Sequence, residues 1–125
     1  MTPKSYQVGL VGESTYQEAV ELMDYGHRVI LEHEPENQHD PLAVVARNEM
    51  GDVLGYIGRG TWLQRAVAVE RKDVEAYVLE VTGGTNNKRL RGLLLNVAIG
   101  LEAEKMRTRR AGTKERRGCL GFLFR

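Results

Sequence analysis

The chain has 125 residues, enough for one domain with its own hydrophobic core. Its 42% hydrophobic and 28% charged residues are ordinary for a soluble globular protein, and aromatics at 6% speak against a binder that relies mainly on stacking bases. The net charge of +1 divides unevenly: residues 101–125 hold eight basic against three acidic side chains, so residues 1–100 are acidic and a basic segment follows.

In chain order, residues 5–11 alternate Tyr6, Val8 and Leu10 on one side and predict a strand. Ser14, three residues before Gln17, has the spacing of a capping box, and Tyr16, Ala19, Val20 and Met23 continue at helical spacing over 15–24. Residues 27–33 and 42–47 predict two more strands, and 48–52 a hairpin turn with Gly51 at positive φ before the return strand 53–57. Thr61 and Gln64 repeat the capping-box spacing at the head of a helix over 62–71, with Trp62 expected in the core. Residues 74–82 and 90–99 predict a strand pair joined by a turn at 83–87. Residues 101–110 have glutamates first and arginines last, which suits a helix dipole. The division expected is a body over 1–100 and a basic, flexible tail over 101–125, able to hold polyanions in a salt-sensitive way. Short hairpins demand antiparallel pairing, so the expected class is mainly β (α+β): a small six-stranded antiparallel barrel or curled sheet with two short helices.

Residues 34–46, EPENQHDPLAVVA, set a polar knot in front of an apolar strand. Pro41 biases Asp40 toward extended geometry and belongs at a strand's start, while Pro35 stiffens the other end. The result is a loop of little freedom that presents Asn37 and Asp40, at reduced entropic cost for any ligand. The plain alternative is that Asn37 and Asp40 satisfy their own turn.

The pattern Pro35, Asn37, Asp40, Ala43, Val44, followed by Gly51, Gly55, Tyr56 and Ile57, resembles the HIRAN domain from about Tyr6 to Ile99. The resemblance implies an OB-like or SH3-like barrel that binds nucleic acid in DNA repair or replication, without catalysis or cofactor. It implies recognition of single-stranded DNA at a 3′ end, with Asn37 and Asp40 reaching the terminal hydroxyl. It also implies a repair or helicase-type protein partner, since eukaryotic members are fused to DNA translocases. GESTYQ at 12–17 is similar to stand-alone bacterial members. A carboxylate accepts a hydroxyl proton and repels a phosphate, so Asp40 would select a free end. His39 can stack on a base. Where the family places Arg and Tyr after the first strand, this chain has Val11, Gly12 and Glu13, and its last loop offers Gly83–Asn87 in place of an aromatic. Arg59, Lys88, Arg89 and Arg91 are then the candidates for phosphates, with the backbone at Gly12 as an anion contact. Tyr56 belongs to the motif.

Other classes fit less well. His27 and His33 lie six residues apart on one predicted strand, roughly 20 Å, too far to share a metal. The single cysteine, Cys119, excludes an intrachain disulfide or a Cys-built zinc site. No nucleophile motif or phosphate-cradling loop is present. The N-terminus lacks a signal-peptide pattern and no apolar run approaches the roughly 20 residues of a membrane span, so the cytoplasm is the expected compartment. The serious alternative is a protein–protein interaction adaptor with Trp62 as an anchor.

Overall fold

The structure is a computed structural model and describes residues 4–85 and 89–110. Six antiparallel strands run β1 (Tyr6–Gly9), β2 (Arg28–His33), β3 (Val44–Arg47), β4 (Val53–Tyr56), β5 (Val74–Thr82) and β6 (Gly92–Ile99). They form one sheet in the order β1-β6-β5-β2-β3-β4. Just past β1, Val11 meets Tyr56 in an isolated antiparallel bridge, with N···O distances of 2.8 and 2.9 Å. That bridge brings the two ends of the sheet order together and curls the strands into a barrel.

The barrel interior follows from the period-2 pattern of the strands. Val29, Val44, Ala46, Leu54, Ala76, Val78, Leu95 and Val97 point inward and make one cluster with Leu10, Val20 and Leu63. Gly51 turns the β3–β4 hairpin at φ 93°, as expected of a residue at that corner. Asn48 organises the same turn, its side-chain oxygen accepting from the N–H groups of Met50 and Asp52 at 2.9 Å each.

α2 (Trp62–Ala68) begins as the sequence predicts: the Thr61 hydroxyl accepts from the Gln64 N–H at 3.3 Å. The first helical segment differs. A 3-10 turn (Glu13–Tyr16) leads into one α turn, α1 (Gln17–Val20), and Ser14 makes no cap. Gln17 is drawn away from the helix end because its side-chain amide clamps the backbone of Arg91, accepting from its N–H and donating to its carbonyl at 2.8 Å each. Asp24 then ends any helical continuation by taking the Tyr25 N–H on its own carboxylate.

The larger correction is at the C-terminus. Residues 101–110 form the helix that their charge order suits, α3, but instead of belonging to a flexible 101–125 tail it packs on the outer face of β5–β6. Ala103 and Met106 cover Tyr77 and Ala98. This explains why β5 is buried on both faces from Glu75 to Val78. Arg107 forks onto both oxygens of Asp73 at 2.8 and 3.0 Å and reaches Glu75 at 3.1 Å. Arg110 lies over the Tyr77 ring at 3.7 Å and donates to the Gly26 carbonyl. These two arginines hold the fold together and are engaged before any polyanion arrives. The rest of the expected tail, residues 111–125, lies outside the described residues.

Candidate nucleic-acid interface

The loop between β2 and β3 is built from its own side chains. The Asn37 side-chain oxygen accepts from the N–H groups of His39 and Asp40 at 2.9 and 3.0 Å, and its amide donates to Glu34 at 3.1 Å. Asp40 accepts from the Leu42 N–H at 2.9 Å, and its carbonyl accepts from Ala43. The His33 ring donates to the Pro41 carbonyl at 2.7 Å. Glu34 closes the loop's base. Its backbone N–H bonds the Ala43 carbonyl, and its carboxylate accepts from the Tyr56 hydroxyl at 3.0 Å and pairs with Arg47 at 3.6 Å. Burial and then the Glu34 carboxylate push the Tyr56 phenol up to about 12, so it remains a neutral donor.

Asp40 also reaches the head of α2. The Gln64 amide nitrogen donates to its second oxygen at 2.8 Å. The orientation of that amide is fixed from the other side, because the Gln64 side-chain oxygen accepts the Gly60 N–H at 2.9 Å. Arg59 stands 3.9 Å from the same carboxylate oxygen, its side chain 80% exposed and therefore free to turn to a ligand. The Leu42 N–H and then the Gln64 amide hold the Asp40 carboxyl below its ordinary range, so it is ionised at neutral pH.

The structure thus gathers Asn37, His39, Asp40, Tyr56 and Arg59 around one loop. His39 is exposed, Asn37 and Asp40 are partly covered, and Tyr56 links the loop to the barrel closure. Gly12 is exposed at φ 74° one residue beyond that closure, beside a Glu13 carboxylate that accepts the Leu93 N–H. Arg89 and Arg91 are exposed on the β5–β6 connection, which the Gln17 clamp ties to the same 3-10 segment rather than to the Asn37–Asp40 loop. Lys88 lies outside the described residues. Sequence reasoning missed two positions here. Gln64 was assigned only a capping role, yet one side chain with two polar ends serves both Gly60 and Asp40. Glu34 was counted as part of a polar knot, and its contacts across to β4 and β3 carry no local signature.

Trp62 departs from its expected place in the core. It is 48% exposed and meets Tyr6 edge-on, with ring centroids 5.0 Å apart. The core-facing residue at the start of α2 is the next one, Leu63. Among the described residues no three His, Cys, Asp or Glu side chains gather as a metal site would need, and no helix is long and apolar enough to cross a membrane.

The fold is shared with two solved structures. The HIRAN domain of human HLTF superposes with a TM-score of 0.51 at 18% identity, covering 81% of each chain. A protein from Lactobacillus plantarum gives 0.53 at 21% identity, over 75% of this chain and 94% of that one. No curated protein matches the sequence. The HIRAN domain family model matches residues 4–94, which takes in all of the loop, Tyr56, Arg59 and the head of α2. By that match the chain belongs to the HIRAN domain family, a family of DNA-binding modules.

Proposed function

We propose that this domain binds single-stranded DNA without catalysis, and that Asp40 reads a free 3′ hydroxyl. The observation that carries the reading is the state of Asp40: an ionised carboxylate held between the Leu42 N–H and the Gln64 amide, with an exposed guanidinium 3.9 Å away. A carboxylate has about four lone-pair sites. Protein donors take one on each oxygen, which leaves acceptor capacity for a hydroxyl. A terminal phosphate in that place meets a fixed negative charge, while Arg59 suits the phosphate one nucleotide further in. Asn37 frames the loop, and the exposed His39 ring offers a face to the terminal base. The setting such a module suits is DNA repair or replication, beside a helicase-type partner.

The test is fluorescence anisotropy with the full chain and a short oligothymidylate ending in a 3′ hydroxyl, the same strand ending in a 3′ phosphate, and a blunt duplex. A terminal phosphate would bring like charges within about 4 Å of each other. The hydroxyl end is therefore expected to bind at least about fivefold more tightly than the phosphate end. Asp40→Asn, which keeps the size and one acceptor, is expected to bring the two ends together. Equal binding of all three ligands by the wild-type chain would reject end reading.

A further inference from the structure

Outside the Asn37–Asp40 loop an aromatic pair remains partly exposed. Trp62 opens α2, and Tyr6 opens the edge strand β1; they are 48% and 37% exposed. The rings meet at 63°, so they do not cover one another face to face and an aromatic surface stays open. A cation lies over one of the rings. The Lys4 ammonium lies 5.5 Å from the centre of the Tyr6 ring. Arg59 precedes Trp62 by three residues with its side chain 80% exposed. Arg59 also stands 3.9 Å from the Asp40 carboxylate.

Exposed aromatic rings beside a positive charge fit a ligand that is flat, aromatic and joined by anionic linkages. We infer that Tyr6 and Trp62 form a stacking platform for a base of a single-stranded nucleic acid, with Arg59 spanning the step between this platform and the Asp40 end. An apolar peptide would use the rings and leave the Lys4 ammonium over Tyr6 unused. The inference rests on the single-strand binding proposed above and adds to it a second base position at these rings.

Trp62 is the chain's one tryptophan, so its emission reports on this surface alone. The full chain is titrated with unlabelled oligothymidylate while tryptophan emission is read, and in parallel with a fluorescein-labelled copy while anisotropy is read. The expected result is saturable quenching with the same midpoint as the anisotropy curve. Trp62→Ala should weaken binding about tenfold, and Trp62→Phe less, on the scale of one lost base–aromatic stack. The dependence of affinity on salt should keep its slope, because no phosphate contact is removed. If anisotropy rises while emission stays constant and both variants bind like the wild type, the platform is overturned and the Asp40 reading survives. If the wild-type chain raises no anisotropy at low salt, the platform and the reading beneath it fall together.

Discussion

Gly55→Ala should destabilise the domain by about 2–3 kcal/mol, on the scale of forced overpacking. A Cβ at Gly55 would lie 2.8 Å from the Val11 carbonyl oxygen and 3.2 Å from Cγ of Glu13. The first of these is backbone, and it is the same oxygen that accepts the Tyr56 N–H at 2.9 Å. It cannot retreat without opening the isolated bridge between Val11 and Tyr56. Glycine is favoured here twice, by the lack of space for a Cβ and by a backbone φ of 159° that L side chains rarely adopt. Urea unfolding is the measurement, with the midpoint falling and the slope unchanged. Amide exchange at Val11 and Tyr56 should accelerate more than exchange in β5–β6. A loss under about 0.5 kcal/mol, the range of ordinary surface changes, would mean that the closure contributes little.

Arg107→Ala should cost about 2–3 kcal/mol, the scale of hydrogen bonds to charged groups and of broken buried pairs. Glu75 is the reason. Its side chain is 1% exposed, and it relies on Arg28 at 3.1 Å, the Tyr77 hydroxyl and Arg107. Removing Arg107 leaves that carboxylate with one cation and also releases α3 from Asp73. Burial and then Glu75 hold the Tyr77 phenol up at about 12, so the hydroxyl stays a donor in either case. Arg107→Lys should recover only part of the loss, because an ammonium cannot fork onto Asp73 while reaching Glu75. The pH dependence gives a second reading. Arg107 lowers the Asp73 carboxyl below its ordinary 3.8. The stability from that pair is present above the unfolded value and is lost as pH falls through it toward the lower folded value. Urea midpoints taken at pH 7 and near pH 3 should therefore differ less in Arg107→Ala than in the wild type. Unchanged stability at both pH values would mean that α3 does not fold with the body.

Much of this architecture was legible because it is local. Alternating strands, the Asn48–Gly51 corner and the Thr61 cap each have a short-range cause, and the two prolines marked the Asn37–Asp40 loop as stiff. What failed was long-range. Arg107 and Arg110 read as tail charge because their partners, Asp73, Glu75 and Tyr77, lie some thirty residues earlier, and an ion pair leaves no periodicity. Gln17 looked like a capping residue because the Arg91 backbone that it clamps comes from the far end of the chain. Trp62 was assigned to the core by its size, although the adjacent Leu63 fills that place. At the loop the sequence left two readings of Asn37 and Asp40, and both side chains serve the turn. Asn37 is engaged by the turn on its oxygen and by Glu34 on its amide. Asp40 is tied to α2 yet keeps acceptor capacity beside the exposed Arg59.

The most direct measurement is a map of backbone amide shifts by NMR as the full chain is titrated with a 3′-hydroxyl oligothymidylate. The account predicts that the largest changes fall on His39, Asp40, Arg59, Gly60 and Trp62, with β5 and α3 nearly silent. Changes confined to residues 101–125, with the loop and the head of α2 unmoved, would contradict it and leave only charge attraction to the basic C-terminal segment.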